Sequence, residues 1–226
     1  MADGLVRNEI FGNDDKPTIY YLTGYGMKIR QIGLHIHIMV WQGYRVMAFE
    51  YDRAVLDGGQ PKLLVDAIDH VMETIRNDVT SHKAAGVYGI SLGTIFAHDV
   101  LKIEGIDKVI FSAGGSCILR AVWDVPNDGP ARRHFVTNGF DRAEVEQGWK
   151  GYDLEAKPED LTGKKALILV SKADKVIPYK YVLESLEVWK KGSGQLEVVT
   201  SSWMSHFMLI IRNLFRVRRT AKFYKQ

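Results

Sequence analysis

Apolar residues in this chain fall into two alternating kinds of run. The short runs are rich in β-branched and aromatic side chains and read as buried strands. These are Thr18–Leu22, Arg45–Tyr51, the segment through Val87, Lys108–Ala113, Lys165–Val170 and Leu196–Thr200. A further run, Leu5 to Phe11, reads as an edge strand. The longer runs carry apolar residues at helical spacing. One spans about Lys28 to Trp41, and another opens at Pro61 and reaches Asp78 with Leu64, Ile68, Val71, Met72 and Ile75 on one face. Others extend from Gly93 to about Lys102, from Tyr179 to Lys190, and from about Phe207 onward. Strands alternating with helices predict an α/β fold: a central, mostly parallel sheet with right-handed crossovers and helices on both faces.

The rhythm breaks between residues 115 and 160. That stretch holds Trp123, Pro126, Asn127-Asp128-Gly129-Pro130, Phe135, Phe140 and Trp149, with one helix expected near Asp141–Trp149. A long aromatic insertion after a strand's C-terminal end reads as a short helical lid or pocket wall. Its aromatics would either line an acyl pocket or fill a small core. No internal repeat or second domain is visible, so residues 1–226 are expected to form one domain.

Composition narrows the class. The chain has 226 residues, 46% hydrophobic and 25% charged, as in ordinary globular proteins with a sizeable core. A net charge of +3 is too mild to point to nucleic acid. The single cysteine, Cys117, cannot close an intramolecular disulfide, and no Cys/His zinc spacing exists; packing is its expected role. The segment Met1–Arg7 lacks a charged leader and an apolar core, and no apolar run is long enough to span a bilayer. The expectation is a cytoplasmic protein without stable membrane insertion. His35-x-His37 would diverge on a helix with no carboxylate nearby, so no metal is expected there. Gly58-Gly59 reads as a turn, since no Lys-Ser/Thr follows as in a phosphate loop. On the last helix Arg212, Arg216 and Arg219 oppose Ile210, Leu214, Val217 and Ala221. A solvated basic face is the expectation, with contact to an anionic lipid surface as the alternative.

Chemistry concentrates at Val87-Tyr88-Gly89-Ile90-Ser91-Leu92-Gly93-Thr94. An apolar run ending in Gly-x-Ser-x-Gly before a helix is the strand–turn–helix context of a nucleophile elbow. Gly89 and Gly93 flank Ser91 where a Cβ would collide with the adjoining strand or helix. A serine hydroxyl needs a base, and the base an orienting carboxylate. Asp174 follows a later strand and His206 follows the last one, in the order Ser, Asp, His. All three lie where parallel strands end, so the sheet would gather them at one edge. His70, His82 and His98 all precede the acid strand, in or near helices.

Gly89-Ile90-Ser91-Leu92-Gly93, Ala173-Asp174-Lys175-Val176-Ile177-Pro178 and Ser205-His206-Phe207 resemble the three signature segments of α/β-hydrolase fold serine hydrolases, the esterase- and lipase-like family. Thr23-Gly24-Tyr25-Gly26 stands where many members carry the His-Gly-x-Gly oxyanion loop. The likeness extends from Thr18 to the C-terminal helix. It implies Ser91 as nucleophile, His206 as general base and acid, and Asp174 as orienting carboxylate. It implies the backbone amides of Tyr25 and Leu92 as the oxyanion hole, with no cofactor. Because those donors are backbone groups, Thr23 in place of histidine is compatible with the hole. The N-terminus is short for the family's first two strands, and the 115–160 insertion is short for a lid. The implied activity is hydrolysis of a small-molecule carboxylic ester. Thioesterase, acyltransferase and receptor-like ligand-binding readings use the same parts, because the triad does not set the leaving group.

Overall fold

In the computed structural model the described residues are 4–115, 118–123, 130–150, 152, 157–192 and 194–225. They begin with β1 (Val6–Phe11), β2 (Thr18–Leu22), a 3-10 turn (Ile29–Ile32), α1 (Gly33–Trp41) and β3 (Arg45–Tyr51). Next come α2 (Ala54–Asp57), α3 (Pro61–Val79), β4 (Ala84–Ile90), α4 (Gly93–Val100) and β5 (Lys108–Ser112). Between β5 and β6 (Lys165–Ser171) lie α5 (Ile118–Trp123), α6 (Pro130–Thr137), α7 (Arg142–Gly148) and a 3-10 turn (Pro158–Leu161). The chain continues through α8 (Tyr179–Trp189), β7 (Gln195–Ser201), α9 (His206–Phe215) and α10 (Val217–Lys225).

The strands form one seven-stranded sheet in the order β1-β3-β2-β4-β5-β6-β7. β1 pairs antiparallel with β3, and every other pairing is parallel. Every residue of β2 is buried, as a parallel strand covered on both faces requires. Its side chains alternate between two cores. Tyr20 and Leu22 join Phe49 and Phe111 beneath α3, α4 and α8, while Ile19 and Tyr21 join Val46, Tyr88 and Ile110 beneath α1, α9 and α10. The chain leaves β2 for β3 on one side and reaches β4 on the other. That reversal opens a crevice outside the C-terminal ends of β2 and β4, where open α/β sheets hold their ligands.

Three expectations are corrected. The run from Lys28 to Trp41 is not one helix, because its first turn is 3-10. Ile29 and Ile32, both buried, stand three apart and match that tighter repeat, and the Glu50 carboxylate accepts the Ile29 N–H at 2.7 Å. The stretch between β3 and α3, to which the sequence pattern assigns no element, contains the short helix α2, with the Gly58 amide bonded to the Ala54 carbonyl at 2.9 Å. The C-terminal helix breaks at Arg216 (φ −86°, ψ 38°). The break turns α10 onto the sheet, where the buried Tyr224 hydroxyl donates to the Val87 carbonyl at 2.7 Å.

In the 115–160 region, α7 falls where the sequence predicts a helix and opens on a reciprocal cap. The Asp141 carboxylate accepts from the Glu144 amide and the Glu144 carboxylate from the Asp141 amide, both at 2.8 Å. Phe135 and Trp149 are buried edge to face, and the Trp149 indole N–H donates to the Pro61 carbonyl at 3.0 Å. These two aromatics therefore pack into the core beside α3. Cys117 and the turn at 126–129 lie outside the described residues. No helix among the described residues is long and apolar enough to cross a membrane.

Candidate active site

Ser91 occupies the turn between β4 and α4 with φ at +51°, a left-handed conformation that a serine adopts at an energetic cost. The surroundings hold it there. The Ser91 amide donates to the Ser112 carbonyl at 2.9 Å on β5, and the Ser91 carbonyl accepts from the Thr94 amide at 3.0 Å and hydroxyl at 2.6 Å. Small neighbours are obligatory. A Cβ on Gly93 would stand 2.0 Å from the Leu22 carbonyl oxygen, and one on Gly89 would stand 2.7 Å from the Gly93 oxygen. The glycine spacing thus lets strand, turn and helix close on one another.

Asp174 follows β6 and His206 opens α9 just past β7, so the parallel sheet delivers both to the edge where Ser91 stands. His206 Nδ1 lies 2.7 Å from Asp174 Oδ2, and His206 Nε2 lies 2.9 Å from Ser91 Oγ. An ionised carboxylate can only accept, so Nδ1 carries the proton and Nε2 is left to accept from the serine hydroxyl. The second carboxylate oxygen, Asp174 Oδ1, accepts the amides of Val176 at 2.8 Å and Ile177 at 2.9 Å. Asp174 and His206 are both buried, which strengthens their interaction and fixes the ring. The three residues expected from sequence are therefore brought into one hydrogen-bonded chain.

Gly24 packs against the nucleophile, for a Cβ there would be 3.2 Å from Ser91 Cβ, and it brings the Tyr25 loop beside the serine. Among the described residues, no acceptor takes the amide of Tyr25 or of Leu92. Leu92 is the N-cap residue of α4, so its N–H belongs to the positive end of that helix. Two backbone donors without an acceptor among the described residues, on the loop beside Ser91 and on the residue after it, are the kind of group an oxyanion would need.

Several supporting residues escaped sequence reasoning. Glu50, which accepts from Ile29, anchors the chain that continues from the Tyr25 loop; its signal is a lone charge at the end of the apolar strand β3. Tyr25 donates its hydroxyl to Asp57, and partial burial followed by that carboxylate pushes the phenol up to about 12. Arg53 lies over the Tyr25 ring, 6.0 Å from its centroid. The Ser171 hydroxyl reaches the Met204 carbonyl. The histidines outside the triad play other parts. His35 is buried while His37 is exposed, so the pair does not converge, and His98 packs in a cluster with Phe111 and Trp189. Among the described residues no group of three or more His, Cys, Asp or Glu could hold a metal ion.

No family model matches this sequence, and no curated protein matches it. Solved structures do. A candidate hydrolase from Agrobacterium vitis S4 superposes with a TM-score of 0.73 at 15% identity, covering 98% of this chain and 93% of the other. A carboxylesterase structure from the ammonia-oxidizing thaumarchaeon Nitrososphaera gargenis gives 0.63 at 16% identity, covering 95% and 93%. The esterase EaEST from Exiguobacterium antarcticum gives 0.61 at 14% identity, covering 99% and 97%. The chain has the α/β-hydrolase fold.

Proposed function

We propose that this protein is a serine hydrolase that cleaves a carboxylic ester through an acyl-enzyme. The observation that carries the reading is the continuous chain Asp174–His206–Ser91, with 2.7 and 2.9 Å hydrogen bonds on a serine in left-handed backbone geometry. Ser91 Oγ attacks the ester carbonyl while its proton passes to His206 Nε2. Asp174 holds the ring and stabilises the imidazolium that forms. The Leu92 and Tyr25 amides donate to the oxyanion, and collapse expels the alkoxide as His206 returns the proton to it. Water then enters, gives its proton to His206 and attacks the acyl carbon, releasing the acid and restoring Ser91. The candidate hydrolase and the two esterases that share the fold support this class of reaction.

The test is hydrolysis of p-nitrophenyl esters, from acetate through palmitate, by the wild type and by Ser91→Ala, with fluorophosphonate labelling of both. Steady turnover and labelling by the wild type, each lost in the variant, is the expected result. Labelling or turnover that survives in Ser91→Ala would overturn the assignment. A single burst without turnover would replace hydrolysis by acyl transfer or ligand retention.

A further inference from the structure

The helices on one side of the sheet leave an apolar face open. Trp41 of α1 is 81% exposed and Phe215 of α9 is 72% exposed, and both line one groove of about 570 Å³. Leu34 and Ile211, also exposed, line a smaller neighbouring groove of about 220 Å³ that again includes Phe215. Phe207, Ile211 and Phe215 follow one another turn by turn along α9, and Phe207 packs edge to face on the His206 ring. The apolar stripe therefore starts beside the triad and runs down to the start of α10. Exposed apolar surface this continuous marks a contact site rather than scattered surface residues.

Charge borders the same face. From His206 onward the sequence contains Arg212, Arg216, Arg218, Arg219, Lys222 and Lys225 and not one Asp or Glu, so the preceding residues together carry a net charge of −3 against the chain's +3. Arg216, Arg218 and Arg219 line the groove that Trp41 and Phe215 share. Arg218, Lys222 and Lys225 recur at one face of α10, all exposed, while Val217, Ala221 and Tyr224 of that helix are buried. Arg219 pairs with Glu197, whereas burial and the neighbouring Arg212 and Arg219 charges hold Arg216 below the usual guanidinium range. Cations are concentrated here beyond what local carboxylates offset.

We propose that the α1–α9–α10 face docks the protein on an anionic lipid surface. Trp41 and Phe215 enter the interfacial region, Leu34 and Ile211 bury against acyl chains, and the α10 cations meet the headgroup phosphates. This is the pattern of a surface-lying amphipathic element: apolar and aromatic groups on one side, Lys and Arg beside them. A second copy is the poorer occupant, because a two-fold contact would set two clusters of unneutralised cations against each other. Docking would place the α9 stripe, and so the rim of the candidate site, at the lipid boundary. The proposal stands on the surface alone and is independent of the chemistry assigned to Ser91.

Co-sedimentation tests it without any substrate. Vesicles of phosphatidylcholine alone are compared with vesicles holding equal parts of phosphatidylglycerol, at low and high salt. The wild type should pellet with the anionic vesicles at low salt and be released at high salt. Arg218→Gln with Lys222→Gln should weaken binding roughly fivefold per charge. Trp41→Ser with Phe215→Ser, also at exposed positions, should weaken it about tenfold or more without shifting the melting temperature. The proposal is overturned if the wild type stays in the supernatant, or if both double variants bind like the wild type. Equal binding to the neutral vesicles would overturn it too. So would a dimer in sedimentation equilibrium that Trp41→Ser with Phe215→Ser converts to monomer, since a second copy would then own the face.

Discussion

The Ser171 hydroxyl donates to the Met204 carbonyl at 2.6 Å. Ser171 is the last residue of β6, three before Asp174, and Met204 lies two before His206. One buried side chain thus ties the loop carrying the acid to the loop carrying the base. A second tie runs beside it, from the Lys172 amide to the Ser201 carbonyl at 2.8 Å. Ser171→Ala removes the first tie and keeps the second, so the protein should fold with a loss of about 1 kcal/mol. The acid–base pair would be less well held, and kcat should fall on the order of tenfold with KM little changed. Steady-state kinetics beside a urea melt checks this; an unchanged kcat would show that the backbone tie suffices.

Asp174 accepts from three N–H groups: two backbone amides and the His206 ring. Asp174→Asn keeps the shape but can turn an NH2 toward His206, favouring the tautomer with its proton on Nε2. That ring cannot take the proton of Ser91. A loss in kcat of about 10⁴ is expected, as for the equivalent change in other triads. Fluorophosphonate labelling rates and ester turnover should fall together, while the circular dichroism spectrum stays that of the wild type.

Much of this architecture was legible because parallel strands buried on both faces leave unbroken apolar runs, as Thr18–Leu22 does. The Gly89–Gly93 spacing was readable for an equally direct reason, since a Cβ at either position meets main-chain atoms. The 3-10 turn at Ile29–Ile32 was not readable as such, because it depends on the Glu50 carboxylate from a strand that comes later in the chain. The break at Arg216 was hidden for a similar reason. No proline or glycine stands there; the helix gives way so that Tyr224 can reach β4. Phe135 and Trp149 could have faced a pocket or a core, and their partner, the Pro61 region of α3, is far away in sequence.

Two glycines close to the elbow should respond very differently to alanine. Gly93→Ala would drive a methyl group to 2.0 Å from the Leu22 oxygen and 2.6 Å from the Thr23 oxygen, both main-chain atoms that cannot swing away. Overpacking against backbone should cost at least about 3 kcal/mol or prevent soluble expression. At Gly115 the nearest atom to a new Cβ is Val182 Cγ2 at 4.0 Å, and the backbone is not left-handed. Gly115→Ala should stay within about 0.5 kcal/mol of the wild type. Thermal melts of the two variants check the contrast.

At the opposite end of the sheet, Arg45 and Asp78 form an almost fully buried ion pair at 2.9 Å. Thr18 Oγ1 accepts from Arg45 and the Tyr20 hydroxyl donates to Asp78, each at 2.9 Å, and burial first, then Asp78, pushes the Tyr20 phenol upward. Asp78→Ala would leave the guanidinium with the Thr18 hydroxyl and, as its remaining carboxylate among the described residues, the exposed Asp14, at a cost of about 3–5 kcal/mol. Replacing both, Arg45→Met with Asp78→Leu, together with Tyr20→Phe to remove the hydroxyl that Asp78 accepts, should recover most of that loss. Because the pair lies at the starts of β2 and β3, far from the strand ends that carry Ser91, turnover per folded molecule should match the wild type in both variants. Urea unfolding and active-site titration separate stability from activity.

Burial pushes the His35 imidazole down to about 4. The ring stands edge-on to Tyr21 and Tyr88, and among the described residues neither ring nitrogen has a hydrogen-bond partner. With an unfolded value near 6.5, the unfolded chain binds a proton at His35 that the folded protein refuses. Its contribution is therefore fully present above about pH 6.5 and is lost as pH falls toward about 4, at a total near 3 kcal/mol. His35→Leu removes the titrating group and keeps an apolar side chain against the stacked pair of tyrosines. Urea unfolding at pH 7 and near pH 4 should show the variant losing about 3 kcal/mol less than the wild type across that interval. Equal losses in the two proteins would assign the acid sensitivity to other groups.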